Sequence, residues 1–159
     1  MSKLIIHDLE NLPFKAKEIH TVFPTLPITQ HCIGCFGCWI KTPGKCIIQD
    51  EAQVITELIA QAEEVIIISK CVYGGYSPSI KSILDRSIGY VLPYFKSIED
   101  EMHHELRYDT SFKLSIHFYG PTTATEKEIA YQLLKANAIN FGCPTYDINF
   151  YSDQKEISL

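Results

Sequence analysis

Two hydrophobic periodicities alternate along this chain of 159 residues. Leu4-Ile5-Ile6 and Val65-Ile66-Ile67-Ile68 are short runs apolar on both faces and read as buried strands, the second as a central parallel strand covered on both sides. Phe112, Leu114, Ile116 and Phe118 alternate toward Tyr119 and stop at Gly120-Pro121, which predicts another strand, and Tyr146 to Tyr151 supplies the last. Between these, apolar residues recur at helical spacing. Val54, Ile55, Leu58, Ile59 and Ala62 follow Asp50, a candidate N-cap with Gln53 three residues on. Ile80, Ile83, Leu84 and Ile88 follow Ser77-Pro78, an N-cap with proline at the first helical position, and predict a helix to about Tyr90. Ile129, Ala130, Leu133 and Leu134 form the buried stripe of a third helix, read as opening on a capping box of Thr125 and Glu128 and closing before Gly142.

Two stretches break this rhythm. Between Glu10 and Gln30, Pro13, Pro24 and Pro27 each remove a backbone donor and fix φ, so the segment holds at most one helical turn near Phe14 to Ile19 and a short strand. Pro93 to Thr110 is polar and aperiodic, and reads as a long excursion with at most one helical turn, a candidate lid or subunit contact. The remaining alternation of strands and helices predicts an α/β fold: one domain over residues 1–159 with a parallel sheet, right-handed crossovers and helices on its faces.

Composition narrows the partners. The formal charge of −5 and the lack of basic runs argue against nucleic acid and anionic membrane surfaces. No window approaches the roughly 20 apolar residues of a spanning helix, and the amino terminus meets Asp8 before a signal-type run develops, which predicts a cytoplasmic protein. In a reducing compartment Cys32, Cys35, Cys38, Cys46, Cys71 and Cys143 are expected as thiols, metal ligands or redox groups rather than a disulfide framework.

Loops leaving the carboxyl ends of parallel strands are where ligands gather. In Ser69-Lys70-Cys71-Val72-Tyr73-Gly74-Gly75-Tyr76-Ser77, paired glycines let the backbone approach a planar ligand and two tyrosines can flank it; a glycine turn with surface tyrosines is the plain alternative. Cys32, Cys35, Cys38 and Cys46 are spaced C-x2-C-x2-C-x7-C, with Gly34 and Gly37 clearing room beside the sulfurs. That spacing is open to packing thiols, to an iron–sulfur cluster, and, less well, to zinc. His103 and His104 are a poor chelating pair on a helix and are read as part of a solvated loop, His31 as a surface residue, and Cys71 and Cys143 as small buried hydrophobes.

Taken in order, Cys32-Ile33-Gly34-Cys35-Phe36-Gly37-Cys38-Trp39, Thr42-Pro43-Gly44-Lys45-Cys46, Asp50, Val72-Tyr73-Gly74-Gly75 and Lys81-Ser82-Ile83-Leu84-Asp85-Arg86 resemble the NAD(P)H-dependent FMN reductase and iron–sulfur flavoprotein branch of the flavodoxin-like superfamily. The resemblance implies a flavodoxin-like three-layer sandwich with the first crossover helix shortened or missing. It implies an FMN ring lined by Val72, Tyr73, Gly74, Gly75, Tyr76, Gly120, Pro121 and Thr122, and a [4Fe–4S] centre on Cys32, Cys35, Cys38 and Cys46. Lys81, Asp85 and Arg86 are expected as surface ion-pairing residues of a helix. The implied activity is a homodimeric oxidoreductase passing electrons from NAD(P)H through flavin to a small acceptor. An iron–sulfur flavoprotein electron carrier and a cofactor-free binding module are the rival expectations. One segment departs from the family: its Gly-Ser-Pro-Arg type phosphate loop is replaced by Asp8-Leu9-Glu10-Asn11-Leu12-Pro13, with two carboxylates and no glycine or serine.

Overall fold

The isoleucine run at residues 66–68 needs cover on both faces, and it lies in the middle strand of a five-stranded parallel sheet. The computed structural model describes residues 2–15, 20–25 and 30–159. Its strands are β1 (Lys3–His7), β2 (His20–Pro24), β3 (Glu64–Lys70), β4 (Val91–Ile98), β5 (Glu101–Leu106), β6 (Lys113–Tyr119) and β7 (Tyr146–Tyr151). The large sheet has the order β2-β1-β3-β6-β7, with all neighbours parallel, and β4 and β5 pair separately as an antiparallel hairpin.

Crossover direction decides where the helices go. The described helices are α1 (Gly37–Ile40), α2 (Ile55–Gln61), α3 (Pro78–Arg86) and α4 (Ala124–Phe141). The connections through α2, α3 and α4 all step the same way across the sheet, so right-handed crossovers put those three helices on one face. There Leu4, Ile6, Val65, Ile67, Leu114 and Ile116 pack with Ile55, Ile59, Ile80, Ile83 and Leu134 in the main core. The step from β1 to β2 runs the opposite way and crosses the other face. Among the described residues no helix makes that step; Leu9 and Ile157, with the half-buried Leu12 and Phe14, cover Ile5, Ile66 and Ile68 instead. Only residues 8–19 make this crossover, and Pro13 among them removes a backbone donor; most of the helical turn expected near Phe14 to Ile19 falls on residues 16–19, outside the described ones. No described helix is long and apolar enough to cross a membrane.

Several local readings are corrected. The capping box of α4 is Thr123 with Glu126, one Thr-x-x-Glu repeat earlier than Thr125 with Glu128. Ile129 faces outward, 45% exposed, and the buried stripe is Ala130, Leu134 and Ala138. Helix α3 ends at Arg86 and continues as a tight 3-10 turn to Tyr90, leaving Ile88 partly exposed. Pro93 to Thr110 is no aperiodic loop: most of it is the β4–β5 hairpin, with His103 Nδ1 2.9 Å from Asn140 Oδ1 and His104 Nδ1 2.7 Å from the Leu92 carbonyl. Lys81 and Asp85 do form an exposed ion pair, one turn apart.

Arg86, by contrast, is 1% exposed and is not a surface residue. Its guanidinium donates to both Asp50 carboxylate oxygens, at 2.6 and 2.8 Å, and to the Gln30 and Ile48 carbonyls, at 2.8 and 3.4 Å. The hydrogen bonds from Arg86 hold the Asp50 carboxyl below its usual pKa. A carboxylate with a depressed folded pKa contributes stability that is fully present above its unfolded value, about 3.9, and is lost as pH falls through the lower folded value. Asp50→Asn should therefore cost about 3–5 kcal/mol near neutrality, since it leaves a buried guanidinium without its counter-charge. In urea unfolding, the gap between wild type and variant should shrink below about pH 4. A gap that stays constant down to acid unfolding would mean that charge pairing is not what Asp50 contributes.

Candidate functional site

In this strand order the chain leaves β1 and β3 in opposite directions, opening a crevice at their carboxyl ends where such folds bind ligands. After β3, the Cys71 amide donates to the Tyr119 carbonyl at 3.0 Å, which ties the departing loop to β6. Val72 and Gly75 then exchange two backbone hydrogen bonds, at 3.0 and 2.9 Å. Tyr73 and Gly74 between them have φ of 51° and 78°, the paired positive values of a two-residue type I′ turn. This turn presents Tyr73 to solvent, 86% exposed. The neighbouring loop begins at Gly120, whose amide donates to the Tyr151 carbonyl at 3.0 Å, and Thr122 Oγ1 folds back onto the Gly120 carbonyl at 3.1 Å.

The two tyrosines expected to flank one ligand do not share a face. Tyr76 is buried, its ring 5.6 Å from that of Phe118 and its hydroxyl 3.3 Å from Asn137 Oδ1. Burial, and then the nearby Cys143 thiol, push the Tyr76 hydroxyl well above its usual pKa. Gly74 also faces inward: a Cβ there would meet the Glu126 carbonyl oxygen at 2.7 Å and Ile129 Cβ at 2.8 Å, so its hydrogen side seats the turn on the first turns of α4. Of the turn residues, Tyr73 is the side chain free to lie against a ring.

The carboxylates after β1, Asp8 and Glu10, carry no local pattern that fixes where they point. Asp8 is 8% exposed and accepts the Lys70 amide on Oδ2 at 3.0 Å, bridging the ends of β1 and β3. Tyr119 stands beside it, and burial, then the Asp8 charge and a hydrogen bond to the Asp8 carboxylate, raise the pKa of the Tyr119 hydroxyl. Leu9, 2% exposed, turns straight down into the core. The ring end of the site, with an exposed Tyr73 on one loop and backbone open around Gly120 on the next, leaves room for a planar heterocycle. The other end does not fit the phosphate of FMN: a buried carboxylate stands where the fold would present amide donors.

The cysteine loop forms a second feature. Phe36, in the left-handed region, starts α1, and Trp39 pins that helix to the Val91 carbonyl with a 2.8 Å hydrogen bond. Cys32 and Cys35 are exposed, Cys46 is half-buried and Cys38 is buried. All four line a cavity of about 560 Å³ that Tyr76, Leu133 and Phe141 also line. Burial, and then chiefly the neighbouring Cys46 thiol, push the Cys38 thiol up, with smaller contributions from Cys32 and Cys35. Arg86 Nε donates to Cys46 Sγ at 3.1 Å. Among the described residues, no three His, Cys, Asp or Glu side chains converge closely enough to hold a metal ion, so the thiols as arranged do not form a cluster site. Cys71 and Cys143 are buried, and desolvation pushes the Cys143 thiol up to about 12.

No family model matches the chain. An 85-residue segment is 26% identical to an iron–sulfur flavoprotein of Archaeoglobus fulgidus, covering 54% of this chain and 36% of that protein. A 56-residue segment is 39% identical to an iron–sulfur flavoprotein of Methanocaldococcus jannaschii, covering 35% of this chain and 28% of that one. The matched segments thus span well under half of either relative. The crystal structure of an FMN-dependent NADH-azoreductase from Bacillus anthracis, in complex with FMN, superposes with a TM-score of 0.54 over 99% of this chain and 90% of its own, at 14% identity. At that identity the two share a fold.

The seating of Gly74 has a measurable consequence. Gly74→Ala should lower stability by at least about 1–2 kcal/mol, the usual cost of left-handed backbone for a residue with a Cβ. Gly75→Ala should be nearly neutral, since a Cβ there meets nothing closer than the Val72 carbonyl oxygen at 3.5 Å. Denaturant midpoints compare the two; equal losses would show that the turn is not seated on α4 through Gly74.

Proposed function

We propose that this chain, a flavodoxin-like α/β protein whose sequence relatives are iron–sulfur flavoproteins, is a flavoprotein oxidoreductase. The observation that carries this reading is the rigid positive-φ turn at the carboxyl end of the central strand, which holds Tyr73 outward beside the Gly120–Thr122 loop. An isoalloxazine ring laid there would meet the Tyr73 face on one side and the backbone of Gly120 and Pro121 at its edge. A bound flavin supplies the redox chemistry. The chain's own residues bind the ring and orient it, and none needs to act as a general acid or base. NAD(P)H as donor, a small molecule as acceptor, a single domain and a homodimer complete the proposal.

Truncating an aromatic wall while leaving the turn intact separates this role from folding. Tyr73→Ala should weaken lumiflavin or riboflavin binding roughly tenfold, about 1.4 kcal/mol, with an unchanged denaturant midpoint because the side chain is exposed. Flavin fluorescence quenching gives the affinity. Wild-type binding in the variant would remove Tyr73 and its turn from the site.

A one-electron carrier holding a [4Fe–4S] cluster is the second reading, favoured by four cysteines lining one cavity. It requires the loop at residues 32–46 to close until all four sulfurs reach one centre. Protein prepared without oxygen should then contain about four irons and four acid-labile sulfides per chain, most of them lost in Cys35→Ser. Sulfide-free protein after anaerobic reconstitution would leave the cysteines as packing thiols and the flavin reading alone.

A further inference from the structure

The crevice where this fold ordinarily offers donors to an anion is closed to anions here. The Asp8 amide donates to the Ile68 carbonyl at 3.3 Å, the Leu9 amide to His7 Nδ1 at 3.3 Å, the Thr25 amide to the His7 carbonyl at 2.8 Å and the Lys70 amide to Asp8 at 3.0 Å. On the next helix the Ser77 amide donates to Ser69 Oγ at 2.9 Å. Thr25 Oγ1 lies 2.9 Å from Ser79 Oγ and 3.2 Å from the His7 carbonyl. These amides and hydroxyls, which could have turned toward a phosphate, are engaged with one another.

What stands at the centre of the crevice is a negative charge. Asp8 is more than nine-tenths buried, accepts the Lys70 amide at 3.0 Å, and has the Tyr119 hydroxyl hydrogen-bonded to its carboxylate. A phosphate brings only further acceptors and a second negative charge, in a setting with little water to screen it. An uncharged polyol brings no charge to repel.

We propose that the crevice selects a flavin with a neutral ribityl tail, of the riboflavin class, over the phosphorylated FMN, the engaged amides offering the phosphate no donor and the Asp8 charge excluding it. This rests on the reading that the ring lies against Tyr73. Its experiment therefore uses three probes on the intact wild-type chain: lumiflavin, which has the ring alone, riboflavin and FMN. Fluorescence quenching should show riboflavin binding at least about tenfold tighter than FMN. Asp8→Asn, which keeps an acceptor for the Lys70 amide, should bring the two affinities within about threefold by improving FMN. FMN binding as tightly as riboflavin to the wild type, while lumiflavin also binds, overturns the selectivity and leaves the ring site standing. That comparison uses the wild type alone, so it decides the selectivity even where the variant fails to fold. Absence of binding by all three flavins removes the ring site and this inference together.

Discussion

A buried guanidinium is tolerable only when each of its five N–H groups has an acceptor, and Arg86 meets that condition across three segments of chain. Its Nε reaches Cys46 Sγ, its two terminal nitrogens reach Asp50 in a bidentate pair, and the remaining donors reach the Gln30 and Ile48 carbonyls. Asp50 at the same time caps the 3-10 turn that leads into α2 by accepting the Ala52 amide at 3.1 Å. One side chain at the end of α3 thus fixes both ends of the cysteine loop and the start of the preceding crossover. Since Ser77, the N-cap of α3, follows the Tyr73 turn by two residues, the two loops that carry chemistry are joined by a single helix. A movement of the cysteine loop has to work against this pair, which makes residues 30–50 the costly part of the molecule to rearrange.

The elements legible in the sequence are those whose signal is local. Val65 to Ile68, the alternating run into Tyr119, the Ser77-Pro78 helix start and the glycine after α4 all appear where their patterns put them, because strand burial, capping and left-handed termination depend on a few adjacent residues. The start of α4 was misplaced because Thr-x-x-Glu occurs twice, two residues apart, and spacing alone does not choose between the copies. The β4–β5 hairpin was hidden for a different reason. Most of its positions are exposed or half-buried, so no alternation survives, and its turn uses Glu99 and Asp100 at φ of 49° and 64° instead of the Asn-Gly or Asp-Gly that marks such turns.

At the candidate site the same division holds. The turn was visible through its glycines, whereas the inward course of Tyr76 and the seating of Gly74 on α4 depend on a helix some fifty residues away in the chain, about which a local window carries no information. Arg86 was read as a surface residue because the last turn of a helix is where exposed basic residues usually occur. Its true partner lies 36 residues earlier, and no periodicity connects the two.

The poor fit to a phosphate follows from the covering of the sheet. The first crossover must pass over the face that carries Ile5, Ile66 and Ile68, and without a described helix there those side chains need another lid. Leu9 supplies part of it, which requires the chain to turn into the core within two residues of the end of β1. A phosphate loop needs the opposite course, a wide turn whose amides point outward before a helix begins. Turning inward at Leu9 draws Asp8 between the ends of β1 and β3, where its carboxylate accepts the Lys70 amide. Covering the second face and holding an anion at the strand ends are therefore competing uses of the same few residues, and this sequence is built for the first.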